Sequence, residues 1–368
     1  MIITAIHIYQ YSIPIEPFVI ATGTMHFAQN MLIRIHTNEG IVGIGECSAF
    51  PMIAGETQDT CIAVAKDFAK IWLQKNALSI TDRIAELHTY IDRNFTAKSA
   101  FDMALYDVNA QHAALPLYKF LNPAATLKTI ETDLTIGIDT PENMAVKARN
   151  FVANGVTKIK IKVGKNAKED VERIKLIRSA AGADVLLRID ANQGWSFEDA
   201  CYSLQLMEQY HIQFCEQPIH KYNNYLLPQL KAATTVPIMV DESVFNDIDL
   251  QYLLPNGGFD YVNIKFAKCG GFHNAVKINA LAEQHRIPCM IGGMLETRVA
   301  MTAFAHFAQA SNNVQFFDMD TALLGHLIDP VIGGANYNGY HIYLPTSNGL
   351  GVNVSDEFLA SCNQFCIS

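Results

Sequence analysis

The sequence predicts an α/β chain built on a closed parallel β/α barrel, preceded by an α+β module. Three observations carry this expectation. From about Thr132 onward, short apolar runs alternate with amphipathic helical segments eight times. Five ionisable residues each close one of those runs, with 28 residues from Lys162 to Asp190, 26 to Glu216, 25 to Asp241 and 24 to Lys265. That interval is about one strand, one helix and two short loops. The first 50 residues instead alternate with a period of two and are rich in Ile and Val, as in an antiparallel sheet.

Taken in order, Ile2–Tyr11, Met31–Thr37 and Ile41–Glu46 are expected to form a three-stranded sheet, with a turn at Asn38-Glu39-Gly40. Between the first two, Glu16–Asn30 contains Pro17 and Gly23 and is expected as a long loop. From Thr57 to Leu121 the period becomes helical. Ala100, Met103, Ala104, Asp107 and Val108 share one face, and Pro116 breaks the pattern. Strands are then expected at Thr132–Ile138, Thr157–Val163, Val185–Ala191, Ile212–Glu216, Pro237–Asp241, Asp260–Lys265, Ile287–Gly292 and Val314–Asp318. Helices lie between them, such as Ala167–Ala181 with Val171, Ile174 and Ile177 on one face. No clear helix follows the eighth strand, and the chain from about Leu324 is expected to return to the first module. The expected domains are 1–128, rejoined by 325–368, and 129–324.

The composition narrows the function. The 368 residues are 50% hydrophobic and 17% charged, with a net charge of −9. An acidic chain without basic clusters is a poor nucleic-acid binder. No uncharged apolar run reaches membrane-spanning length. The opening MIITAIHIYQ alternates like a strand and lacks a basic leader region, so no signal peptide is expected. Eight cysteines include no C-x-x-C pair, and Cys362 and Cys366 are set aside as a metal pair. The cysteines read as reduced thiols of a cytoplasmic protein.

The chemistry gathers at the strand ends. Asp190, Glu216 and Asp241 offer hard oxygen ligands from three strands, the donor set of Mg²⁺ rather than zinc. Lys158, Lys160 and Lys162 alternate, so all three face one side of their strand and Ile159 and Ile161 the other. Crowded cations depress one another's pKa and free an amine to act as a base. Lys158 begins the strand and reads as structural. Lys265 lies four strands round the barrel from Lys162, so the two amines are expected to face each other across its mouth. Such a pair can take a proton from one face of a carbon and return it on the other. As bland alternatives, any single acid could cap a helix, and Lys265 could be structurally paired, as Lys268 more readily is.

With Lys160-Ile161-Lys162, the three acids and Lys265-x-x-Lys268-x-Gly270-Gly271 in view, the chain resembles the enolase superfamily, muconate-lactonizing subgroup, and within it the dipeptide epimerases. The resemblance spans essentially the whole chain. It implies a (β/α)7β modified TIM barrel capped by an α+β domain from both chain ends, one Mg²⁺ per subunit, and Lys162 and Lys265 as exchanging acid and base with Lys160 beside them. It implies that Asp318 and Asp320 clamp the α-ammonium group of a dipeptide. Gly23, Met25, Ile53, Met294 and Thr297 are placed around the substrate, and Asn192, Glu242 and Lys268 behind the metal acids. Relatives that act on Ala-Glu carry an Arg in the Pro17–Met25 stretch, where this chain aligns Gly23, and Ala49–Gly55 is apolar too. Small or hydrophobic dipeptides of the Ala-Xaa type are therefore expected over Ala-Glu, since a buried carboxylate would lack a partner.

The alternatives on the same scaffold are N-acylamino acid racemisation, o-succinylbenzoate synthesis and muconate cycloisomerisation, none of which needs an ammonium clamp. More remote are a Schiff-base lysine enzyme and a non-catalytic binding protein. The expected partner is a small-molecule dipeptide, with neither nucleic acid nor membrane, and a homo-oligomer is expected from the resemblance alone.

Overall fold

The computed structural model describes all 368 residues, Met1–Ser368. Strands β1 (Ile3–Ile20) and β2 (Gly23–Thr37) form one long antiparallel hairpin, and β3 (Val42–Ser48) pairs with β2. The expected loop over Glu16–Asn30 is therefore strand, turning only at Ala21-Thr22. A bulge between Pro14 and Phe18 explains the error, because extra residues break the period-two alternation that marks a strand. The sheet also has four strands rather than three, since the C-terminal strand Asn363–Ile367 pairs with β1.

Both faces of this sheet are covered. Ile6, Ile8, Met31, Ile33 and Ile35 pack on helices α1 (Gln58–Trp72), α2 (Ile80–Tyr90) and α3 (Phe95–His112). Tyr9, Tyr11, Ile13 and Leu32 face the other way and join the core of the barrel. A fully buried aliphatic side chain contributes about 1.5–3 kcal/mol, so these two sets fix the sheet from both sides.

The barrel strands are β4 (Leu134–Ile136), β5 (Lys158–Lys162), β6 (Leu186–Asp190), β7 (Ile212–Glu216), β8 (Ile238–Val240), β9 (Tyr261–Ile264), β10 (Cys289–Gly292) and β11 (Val314–Asp318). They are parallel, and neighbours in space follow chain order. Helices α4 (Pro141–Ala153), α5 (Ala167–Ala181), α6 (Phe197–Met207), α7 (Leu227–Ala232), α8 (Asp247–Leu253), α9 (Phe272–Gln284) and α10 (Arg298–Ala310) follow β4 to β10 in turn. Only the single turn Thr321–Leu324 follows β11, as the sequence implied. Between β11 and β4 the wall is linked by Asp133 N donating to Phe317 O (3.2 Å) and Met319 N to Thr132 Oγ1 (2.8 Å).

Phe214, Met239, Met290, Tyr261 and Phe316 fill the barrel one layer below the strand ends. In the C-terminal segment, Val331–Gly333 pairs with Val352–Val354, and His341–Tyr343 pairs with Ile130–Glu131 at the foot of the barrel. The β1–β2 hairpin reaches across the mouth. Ile138 N donates to Val19 O (2.8 Å), and Ala21 lies so close that a Cβ placed on Gly194 would stand 2.9 Å from its methyl. No helix is long and apolar enough to cross a membrane.

Candidate active site

Adjacent strands β5, β6 and β7 end with Lys162, Asp190 and Glu216, and Asp241 and Lys265 directly follow β8 and β9. In the parallel register Lys162 stands beside Asp190, and Asp190 beside Glu216. The three acids are fully buried, and the two lysines nearly so. Lys162 Nζ lies 2.5 Å from Asp190 Oδ2, and Lys265 Nζ 3.1 Å from Asp241 Oδ2. The arc thus carries an amine at each end and three carboxylates between, over half the circumference of an eight-stranded barrel.

Lys160 Nζ fills the space beneath, 2.7 Å from both Glu216 Oε2 and Asp318 Oδ2 and 3.2 Å from Asp190 Oδ2. Burial pulls its pKa down, but the charges of Asp318, Glu216 and Asp190 outweigh burial and hold it well above the usual lysine value. Lys265 is likewise raised against burial by Asp241 and Glu216. The expectation that the lysines of this strand depress one another therefore fails for Lys160, because its amine packs on carboxylates. The acids responsible are the same ones a divalent cation would neutralise. Lys158 pairs with Glu131 (2.8 Å) at the barrel's foot.

The acids fit such a cation. Glu216 Oε2 is near Lys160 and Asp241 Oδ1 lies 2.6 Å from Lys268 Nζ, yet neither oxygen, nor Asp241 Oδ2, nor Glu242 Oε2, receives a well-directed hydrogen bond. Buried oxygens left unmet are expensive, and three hard donors from three strands suit Mg²⁺. Burial and the Asp190 charge push the Glu216 carboxyl up to about 7, and burial with Asp241 pushes Glu242 up to about 8. Asp190 is held at about 2, because Lys162 and Lys160 outweigh its burial. A second carboxylate cluster, Asp133, Asp318 and Asp320, has oxygens within 4.8 Å of one another. It already holds cations, with Arg188 2.8 Å from Asp133 and Lys160 2.7 Å from Asp318.

The other residues singled out in the sequence are placed as follows. Lys268 Nζ is gripped by the carbonyls of Asp241, Val244 and Asn263 and by the Asp241 carboxylate. Asn192, in the left-handed region at φ 42°, reaches both Asp190 (3.3 Å) and Glu242 (3.4 Å). Asp318 closes β11 and Asp320 follows it, with Thr135 N donating to Asp320 Oδ2 (2.7 Å). Burial and Asp318 push Asp320 up to about 6. Met25 and Ile53 are buried, and Gly23 faces Met52, whose sulfur would lie 2.6 Å from a Cβ at that position. Met294 lines a separate cavity with Asp320. Thr297 caps α10, and its hydroxyl and amide both donate to Glu46.

Four residues were passed over. Asn263 Nδ2 donates to Glu216 Oε1 (2.7 Å), and Gln217 Oε1 accepts from the amides of Asp241 and Ser243. Asn263 precedes Lys265 by two on the same strand face, a signal the alternation did offer. Arg188 lies one layer below Asp190 and spans Asp133 and the ring of Phe214. Glu46 accepts from Tyr11, Asn30, Thr297 and Ala300, joining the capping sheet to the start of α10. Nothing local in the sequence links partners so far apart.

Two family models match the chain. One, described as the mandelate racemase / muconate lactonizing enzyme N-terminal domain, covers residues 3–122, and the other, enolase C-terminal domain-like, covers 143–358. The D-Ala-D/L-Ala epimerase of Cytophaga hutchinsonii is 42% identical over 100% of both chains, and the L-Ala-D/L-Glu epimerase of Bacillus subtilis 38% identical over 92% of each. Among solved structures, the dipeptide epimerase from Cytophaga hutchinsonii complexed with Mg and D-Ala-L-Val superposes with a TM-score of 0.98 at 42% identity over 100% of both chains. The dipeptide epimerase from Enterococcus faecalis complexed with Mg and L-Leu-L-Tyr gives 0.92 at 37% identity, over 96% of this chain and 99% of that one.

Proposed function

Because the chain belongs to the mandelate racemase/muconate lactonizing enzyme family of the enolase superfamily, we propose that it is a Mg²⁺-dependent dipeptide epimerase that inverts the α-carbon of the second residue. The observation that carries this reading is the arc itself, two buried amines flanking three acids, with the Asp318/Asp320 pair two strands beyond Lys265. Asp190, Glu216 and Asp241 would hold the ion. Bound there, Mg²⁺ supplies the positive charge that offsets the negative charge developing on the substrate's carboxylate as its α-proton leaves.

The chain's own residues do the rest. Asp318 and Asp320 pair with the α-ammonium group, fixing the peptide's direction across the mouth. Lys162 and Lys265 approach the α-carbon from opposite sides. One removes the proton and the other returns one to the opposite face, the roles reversing with the stereoisomer. Lys160, dry and positively charged, balances the acids between them. Lys268, Asn192, Asn263 and Gln217 keep those acids in place. With no Lys or Arg in Pro17–Met25 or Ala49–Gly55, the second residue is small or hydrophobic rather than Glu. The eight unbridged cysteines fit a reducing compartment, the cytoplasm. Exposed Tyr222 and Tyr225, after β7, and Ile248 and Tyr252, on α8, support a homo-oligomer.

The test is incorporation of deuterium from D₂O at the second α-carbon of a dipeptide library, with and without Mg²⁺. Metal-dependent exchange of dipeptides but not of N-acylamino acids is the expected result. Exchange confined to N-acylamino acids, or indifferent to EDTA, would discard the proposal.

A further inference from the structure

A cavity of about 580 Å³ opens beside the ammonium clamp, within the range of about 300–1,000 Å³ usual for small-molecule sites. Half of the residues lining it are hydrophobic, among them Phe18 and Val19 from β1, Ile136 and Ile138 at and just past the end of β4, Phe151 from α4 and Leu324 after β11. Asp320 and Thr135 also line it. None of the catalytic lysines, the metal acids, Gly23, Met25 or Ile53 lines it. The space therefore belongs to the ammonium end of a bound peptide and not to the carbon being inverted.

Resting on the epimerase reading, but departing from the alanine first residue expected from the sequence, we infer that this cavity receives the side chain of the first residue of the dipeptide, and that the chain accepts a large aliphatic or aromatic residue there. An alanine methyl would leave nearly all of 580 Å³ as water, much of it against the apolar part of the wall. Each methylene buried in its place is worth about fourfold in affinity. The charges exclude the opposite class. Glu16, Asp139 and Asp320 face the cavity, and its one cation, Lys147, is already paired with Asp139 at 3.4 Å. An acidic first residue would meet excess negative charge and no free partner.

The experiment compares kcat/KM, by deuterium incorporation at the second α-carbon with Mg²⁺ present, for L-Leu-L-Ala, L-Phe-L-Ala, L-Ala-L-Ala and L-Glu-L-Ala. The expected order places Leu and Phe at least about tenfold above Ala, and Glu at least about tenfold below it. Leu324→Trp, which fills the cavity, should cut the Leu-to-Ala ratio at least about tenfold. Ile138→Phe on another wall gives the same reading should the first variant not fold. Turnover of L-Ala-L-Ala equal to or above that of the bulky pair, or a ratio that neither filling variant moves, overturns the pocket assignment alone. Turnover of none of the four by folded wild-type protein overturns the epimerase reading and the pocket with it.

Discussion

Replacing Asn263 with Leu should separate metal binding from chemistry. The Asn263 amide donates to Glu216 Oε1 at 2.7 Å, and both side chains are fully buried. Leu has nearly the same shape, so little cavity is left behind. A hydrogen bond to a charged group contributes about 1.5–3 kcal/mol. Felt by a carboxylate that must stay ionised to hold a cation, that loss corresponds to about a tenfold to hundredfold weaker metal affinity. Folding should suffer much less. Asn263 Oδ1 is itself buried without a partner, and removing it recovers about 1 kcal/mol or more of the loss. The assay is a Mg²⁺ titration of epimerase activity, paired with urea unfolding of the metal-free protein. The expected result is an activation midpoint shifted by at least about tenfold, near-normal kcat at saturating Mg²⁺, and a folding change of about 1 kcal/mol or less. An unshifted midpoint with a collapsed kcat would refute the reasoning and move Asn263 into the chemical step.

Lys162→Ala and Lys265→Ala should each abolish epimerisation while leaving solvent exchange of opposite single stereoisomers, read by NMR in D₂O. Full inversion by either variant would sink the two-base scheme. Metal-free protein should lose stability as pH rises from about 5 to 8, because Glu216 and Glu242, at about 7 and about 8, shed their protons in the folded state at higher pH than when unfolded. Mg²⁺ should reverse that loss, so its increment in Tm should be larger near pH 8 than near pH 5.5, and equal increments would contradict the assignment. Glu46→Gln should cost about 2–3 kcal/mol in chemical unfolding, since an amide turns a donor toward the ring formed by Tyr11, Asn30, Thr297 and Ala300. A change under about 0.5 kcal/mol would show that the clamp matters little.

The barrel and its chemistry were legible because both rest on local periodicity. A strand end recurs every 24 to 28 residues, and the residue that closes it faces the mouth. Lys162, Asp190, Glu216, Asp241 and Lys265 follow from that rule alone. The hairpin was not legible, because a bulge beside Pro14 disrupts the one pattern that announces a strand. The lysine environment was misjudged for a different reason. Alternation places Lys160 and Lys162 on one face but says nothing of which neighbours will meet them, and Asp318 arrives from 158 residues away. Glu46 and Arg188 escaped on the same ground, as their partners converge only in the closed barrel.

The ribbon formed by β1 and β2 rests its tip on Gly164 and Gly194, immediately after the strands that bear Lys162 and Asp190. Part of what admits a side chain, Phe18 and Val19, is thus written on a length of polypeptide separate from what moves a proton. The ribbon can be recut, residue by residue, into a new mould while the proton-transfer apparatus stays unaltered. The tether on that freedom is small, one methyl-sized residue at the tip and bare backbone beneath it. Such a division of labour lets one ancestral reaction be offered to many peptides.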